Sequence, residues 1–349
     1  MGSVELRTAL LAPLLALLIA MAAGHLLVLA FGESPWRVLQ ALLAGTWGSW
    51  YGVGQVLFKA TPLVLTGLAV ALPFRAGLFN IGAEGQAVLG ALATGLAGAW
   101  LPAATPWPVA LPLAAAAGFA AGALWGALPG WLKGRFGAHE VISTIMLNFI
   151  ALALANYLVA AHFAVPETLH TAAIVPGAEL SRLGDLYPAL HGSAVSTALP
   201  WAVVAAVLCW WLLFRTATGY ELRAVGQSPR AAHCTGLSLL RVSTLAMALG
   251  GGLSGLVGMG FVQGYKHYYE DGFSAGIGFM GIAVALLGRN HPLGVVLAAL
   301  LFGTLSQGGL AINALVPKEI VEILQAVIIL AVVAASRELR SLLQREGGR

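Results

Sequence analysis

The residues best suited to chemistry form one short string, Asn80-Ile-Gly-Ala-Glu-Gly-Gln86, set in an otherwise apolar stretch. An acid in the middle of a membrane helix costs about 2.5–3.5 kcal/mol on insertion scales, which makes Glu84 a functional candidate by default. The spacing predicts that Asn80, Glu84 and, less directly, Gln86 share part of one helical face, as a polar strip turned towards neighbouring helices. Three uses of that strip are open: it lines a substrate path, relays a proton, or hydrogen-bonds to unwound backbone near Arg75. A lone acid lacks partners for a relay. Asn148, Asn156, the Ser143-Thr144 pair, Gln307 and Asn313 are less costly polar groups, and each alone is more often a helix–helix hydrogen bond than a ligand contact.

Catalytic patterns are missing. There is no G-x-x-x-x-G-K-[ST] and no Gly-Lys pair, so no P-loop is available and the chain is expected to bind no ATP of its own. There is no H-E-x-x-H, and the 8 histidines are scattered, which argues against a metal site. Two cysteines, Cys209 and Cys234, make no disulfide framework. The chain reads as a non-enzyme without a cofactor.

The elements that hold these residues follow from composition. Of 349 residues, 59% are hydrophobic and 9% charged, against about 25% charged in a soluble domain. With a mean hydropathy of +0.87, this is an all-α polytopic membrane protein, a single transmembrane domain over residues 1–349. Gaps between charged residues predict about ten transmembrane helices, at 8–31, 56–74, 78–100, 108–132, 140–162, 197–214, 241–262, 272–288, 293–313 and 319–336. Pro73 and Gly77 bracket Arg75, so the second and third spans join through a broken helix or a surface turn. Ala20-Met21-Ala22 has the form of a signal-peptidase site, but the apolar run continues to Phe31, which favours an uncleaved span.

Of the 18 Lys and Arg, only Arg37, Lys59, Arg182, Lys266 and Lys318 fall on one side of these spans. The excess on the other side places both termini in the cytoplasm. A pI near 9.3 therefore reports orientation in the bilayer, and no nucleic acid is expected. Residues 163–196 form an external loop with Glu167, Glu179, Arg182 and Asp185; residues 215–240 form the most charged internal loop. Residues 35–50, with Trp36, Trp47 and Trp50, should lie at the outer interface without spanning.

Gly118, Gly122, Gly126, Gly130 and Gly134 recur every fourth residue and form a groove for close helix packing; Gly251 with Gly255 and Gly272 with Gly276 repeat the spacing. Residues 67–75 (GLAVALPFR) and 281–289 (GIAVALLGR) share six identities and both end in arginine, a faint sign of internal duplication.

Three strings, FRAGLFNIGAEGQ (74–86), EVISTIMLN (140–148) and GYELRAVG (219–226) with SPRAA (228–232), resemble the branched-chain amino acid and ribose type of ABC importer permease. The first two most resemble its nucleoside permeases. The resemblance implies a bacterial inner-membrane permease that moves nucleosides inwards by alternating access. It implies partners as well: a cytoplasmic ATPase carrying ATP and Mg, a second permease that is a paralogue, and an extracytoplasmic substrate-binding lipoprotein. Asn80, Glu84, Gln86 and Asn148 are then candidates for the substrate pathway. In such permeases a short helix between spans docks on the ATPase, and Ser228 to Gly236 matches its position. Gly219, Glu221, Arg223, Gly226, Ser228, Pro229, Arg230, Ala231, Ala232 and Gly236 are the residues implied for coupling. Local chemistry agrees: Ser228 is an N-cap, Pro229 suits a first turn, and Gly236 ends a helix. The alternatives are a simple-sugar permease of the same type and an ion-coupled secondary transporter, the latter with Glu84 as its one strong candidate for the ion.

Overall fold

The computed structural model describes residues 18–19, 21–317, 319–328 and 330–331. These fall into two compact units: the residues up to Lys59 together with those from Leu300 onwards, and Ala60–Ala299. Helices supply the regular structure, and the only β features among the described residues are isolated bridges such as His170 with Glu270.

In chain order the helices used below are α1 (Met21–Ala30) and α2 (Pro35–Thr46), then α3 (Trp50–Arg75), α4 (Ala83–Trp100), α5 (Trp107–Phe136) and α6 (Glu140–Leu158). They continue with α7 (Ala198–Arg215), α8 (Ala217–Gln227), α9 (Pro229–Cys234), α10 (Leu239–Gly255), α11 (Ile277–Leu287) and α12 (Pro292–Ile312). Among the described residues six helices are long and apolar enough to cross a bilayer: Trp50–Arg75, Trp107–Phe136, Glu140–Phe163, Ala198–Arg215, Leu239–Lys266 and Pro292–Ile312. Each coincides with an expected span. α1 and α2 pass that test only as a pair bent by 114°, with Ser34 and Pro35 at the bend, so the tryptophan-rich stretch is helical but turned sharply from its predecessor. The start of the first expected span, residue 20 of the cleavage pattern and the end of the tenth span lie outside the described residues.

Two expected spans are shorter than read. α4 starts at Ala83, five residues later than expected, because residues 76–82 leave the helix. α11 has 11 residues, about 16 Å at 1.5 Å per residue, which is half of a 30 Å hydrocarbon core. The cause lies in Gly272 (φ +76°) and Gly276 (φ +85°), whose left-handed backbone keeps residues 272–276 out of the helix. Their four-residue spacing therefore serves turns and not helix packing, a correction to the reading of this pair.

The other glycine pattern packs as its spacing predicts. A Cβ on Gly122 would strike the Gly251 carbonyl, one on Gly126 the Met247 carbonyl, and one on Gly130 would lie 2.6 Å from the Ser243 carbonyl. α5 and α10 thus meet backbone to backbone, the arrangement that gains van der Waals contact where lipid offers no hydrophobic drive. The closeness also lets Ser243 Oγ donate to the Gly130 carbonyl at 3.0 Å. α5 ends as its sequence dictates, with Gly137 at φ +70° returning its N–H to the Leu132 and Lys133 carbonyls. In the first unit, Val28 and Val38 pack with Ile312, Val316, Ile320 and Val321.

Candidate functional site

The site begins where α3 breaks. Pro73 has no N–H, so the carbonyl four residues earlier, that of Ala69, lacks its helical donor. Asn80 supplies the replacement: its Nδ2 donates to Ala69 O at 3.1 Å. The chain has turned back at Gly77 (φ +74°), and Asn80 follows in irregular backbone with its side chain wholly buried. Asn80 and Gln86 then exchange hydrogen bonds, Asn80 Nδ2 to Gln86 Oε1 at 2.9 Å and Gln86 Nε2 to Asn80 Oδ1 at 3.1 Å. Asn148, from α6, closes the same turn: its Nδ2 donates to Ile81 O and its Oδ1 accepts from Gly85 N, both at 2.9 Å. Every one of these groups is satisfied by protein, as buried amides require.

Glu84 departs from the expected strip. Asn80 lies before α4 rather than on it, so no helical face carries all three polar residues. The Glu84 carboxylate points to α11 instead: Oε1 accepts from Gly276 N at 3.0 Å and Oε2 from Gly278 N at 2.6 Å. Glu84 is 3% exposed. It therefore caps a helix almost two hundred residues away while standing in the first turn of its own. Two helix N-termini, each a partial positive charge, meet here, and the acid compensates both. Gly278 is required at the contact, since a Cβ would overlap the backbone of Ala83 and Glu84. Ser254, from α10, donates its hydroxyl to Ala83 O at 2.5 Å and seals the other side.

The far end of α11 is held by the same segment. Arg75 Nε donates to Asn290 O at 2.8 Å and its Nη2 approaches Arg289 O at 3.4 Å, just past the helix C-terminus, where a cation is favoured. A base at one end and an acid at the other, nine positions apart in sequence, thus clamp α11 lengthwise. The echoed segments turn out to be partners: a Cβ on Gly67 would meet Val284 at 2.8 Å, and one on Gly281 would meet Thr66 at 2.6 Å. The two copies run side by side in one direction and end together at Arg75 and Arg289.

The loop expected at 215–240 holds the helix pair α8 and α9. Thr216 caps α8 by accepting from Gly219 N, and Gly219 sits against the Leu212 and Leu213 carbonyls, where a side chain would not fit. Ser228 caps α9 by accepting from Ala231 N, Pro229 takes the first turn, and Gly236 follows at φ +87°. Ser228, Pro229, Arg230, Ala231 and Gly236 are exposed, whereas Ala232 is buried. At its other end α8 touches the break: Gly226 packs on the Arg75 carbonyl, and a Cβ on Gly77 would lie 3.3 Å from Gly226 Cα. Arg223 and Arg75 both lie over the Phe214 ring, at 5.4 and 5.8 Å, and Glu221 is half-buried on α8.

The remaining polar candidates make their hydrogen bonds elsewhere. Thr144 and Ser143 return their hydroxyls to carbonyls one turn back, Asn156 binds Asp271 at 2.8 Å, and Gln307 and Asn313 belong to the first unit. Arg75, Ser254, Gly276 and Gly278 were not among the expected site residues. Only Arg75 carried a readable signal, its place beside Pro73.

A family model described as "Branched-chain amino acid transport system / permease component" matches residues 52–333. The chain belongs to this permease family. Among curated relatives of the permease, the guanosine ABC transporter permease protein NupP of Bacillus subtilis is 40% identical over 93% of each chain. The glucose ABC transporter permease protein TsgB13 of Haloferax volcanii is 35% identical over 93% of this chain and 87% of its own. The nucleoside ABC transporter permease protein NupB of Lactococcus lactis subsp. cremoris is 33% identical over 91% and 89%. No solved structure matches the chain. The permease is thus a multi-pass membrane protein and a transport component.

Proposed function

We propose that the chain is a transmembrane permease of an ATP-driven ABC importer that carries nucleosides into the cytoplasm by alternating access. The observation that carries this reading is the join of α8 and α9 to the broken helix: Gly226 against Arg75, with Arg75 and Glu84 gripping the two ends of α11. The exposed α9, which in this reading meets the ATPase, is thereby tied through Gly226 and the Arg75 side chain to the short α11. In this reading Ser228, Pro229, Arg230 and Ala231 face the ATPase, while Gly219, Glu221, Arg223, Gly226, Ala232 and Gly236 hold that surface in shape. ATP and Mg belong to the ATPase. Asn80, Glu84, Gln86 and Asn148 frame the pathway and do not ligate the substrate directly.

The inner membrane, cytoplasmic termini, an external loop at 163–196 and an internal one at 215–240 are part of the same reading, supported by the arginine asymmetry. A paralogous second permease is supported by the occurrence of a further relative, the guanosine permease NupQ, beside NupP in Bacillus subtilis. A binding lipoprotein would deliver the nucleoside. An ion-coupled mechanism is disfavoured because Glu84 is the only acid among the buried described residues and both of its oxygens are occupied by backbone.

The test is reconstitution of the permease with its paralogue, ATPase and binding protein in liposomes, with ionophores present. Guanosine accumulation that survives the ionophores and stops when the ATPase's catalytic glutamate is replaced is the expected result. Ionophore-sensitive uptake by this chain alone would make it a secondary transporter, and glucose uptake without guanosine uptake would make it a sugar permease.

A further inference from the structure

Between Lys266 and Ile277 the backbone is irregular, with left-handed residues at His267, Gly272, Ala275 and Gly276. This segment leads from the end of the long α10 span to the N-terminus of α11, where Glu84 sits. A cavity of about 130 Å³ lies against it, and its walls are largely aromatic: Phe261, Tyr265, Tyr268 and Phe273, with Lys266 and Glu270 among the lining residues. The helix that carries Phe261 and Tyr265 is itself a π-helix, Met259–Lys266, a distortion that recurs at functional sites.

The rings are held in place from behind. Phe273 packs edge-on against Tyr269, which is 1% exposed, with centroids 5.6 Å apart; Tyr268 stacks on His170 at 4.2 Å and 28°. Phe261 and Phe273 meet at 5.1 Å and 59°, so they form an angled corner. Lys266 binds Glu270 at 3.0 Å, and its Nζ lies 6.0 Å from the Tyr265 centroid and 5.9 Å from that of Tyr268. The result is an aromatic slot with the Lys266–Glu270 ion pair beside it.

We infer that this slot is a stacking site for a nucleobase-sized planar heteroaromatic ring on its way from the outer surface to the N-terminus of α11. Flat rings stack on aromatic side chains for about 1–3 kcal/mol each, whatever the base. Lys266 and Glu270 meet the polar edge of the ring. This assignment rests on the nucleoside reading above and adds the residues that contact the substrate within the permease.

The assembled importer in liposomes is irradiated with 8-azidoguanosine, with and without excess guanosine, and labelled peptides are mapped alongside guanosine and glucose uptake. The expected result is guanosine-protected labelling within residues 259–273. It falls at least tenfold in Phe273→Leu, which keeps apolar volume and loses the ring, and is retained in Phe273→Tyr, which keeps the ring and reports that the fold is intact. Labelling that is absent, located elsewhere, or undiminished in Phe273→Leu while guanosine uptake proceeds overturns the slot and leaves the nucleoside reading standing. Glucose uptake with no guanosine uptake in the unaltered importer overturns the nucleoside reading itself, and the slot with it.

Discussion

Glu84 and Gly278 are joined by a 2.6 Å hydrogen bond across 194 positions, and the second carboxylate oxygen of Glu84 is taken by Gly276. Both oxygens accept, so an amide cannot stand in for the acid. Glu84→Gln would turn an NH2 towards a backbone N–H, leaving a buried donor without an acceptor at a cost of about 1–3 kcal/mol. The expected outcome is a lower unfolding temperature in detergent and slower uptake, with the pH profile of uptake unchanged. A Gln variant of normal stability whose uptake loses its pH dependence would restore the proton-relay role.

Asn80 and Pro73 make a second coupled pair, because the carbonyl that Asn80 caps is the one Pro73 leaves without a donor. Asn80→Ala alone should cost about 1–3 kcal/mol, since it strands Ala69 O and the Gln86 amide in the interior. In a Pro73→Ala background the helix supplies its own donor to Ala69, and the same change should cost less by about 0.5 kcal/mol or more. Denaturation of the four variants measures the difference, and strictly additive losses would show that the two residues act separately.

The long helices were legible in the chain because each is an uninterrupted apolar run, and the α5 groove was legible because glycine at every fourth position is a pattern of side chains alone. Ser228, Pro229 and Gly236 announced α9 in the same way, through capping chemistry that needs only neighbours. The site was legible in part. Asn80, Glu84, Gln86 and Asn148 do converge on one turn, but periodicity placed Asn80 on a helix that begins only at Ala83. The partners of Glu84 are backbone N–H groups from residues 276 and 278, and a backbone donor carries no mark in the sequence. The shortness of α11 was hidden because residues 272–276 are as uncharged as the helix they precede, and only the left-handed backbone at Gly272, Ala275 and Gly276 separates them.

The surface of α9 permits a sharp contrast between adjacent alanines. Ala231 is exposed and Ala232 is 5% exposed. Ala231→Asp, in the first turn of a helix where an acid is tolerated, should leave yield and unfolding temperature near normal while substrate-stimulated ATP hydrolysis in the assembled importer falls severalfold. Ala232→Asp should instead lower the yield, since it buries an unpaired charge. Unaltered coupling in the Ala231 variant would remove α9 from the ATPase contact.

His291 supplies a pH-dependent prediction at the end of α11. Its ring stacks on Phe214 with centroids 5.5 Å apart, and burial, followed by the nearby Arg75 charge, holds its pKa below the ordinary 6.5. A base with a depressed folded pKa is neutral in the fold where the unfolded chain is already protonated. Its contribution to stability is therefore complete above about pH 6.5, and it is lost as the pH falls through that value towards the folded pKa. Unfolding temperature in detergent should drop between pH 7 and pH 5.5, and His291→Phe, which keeps a ring on Phe214 and removes the titration, should flatten that drop. A drop of equal size in the Phe variant would assign the pH dependence to another group.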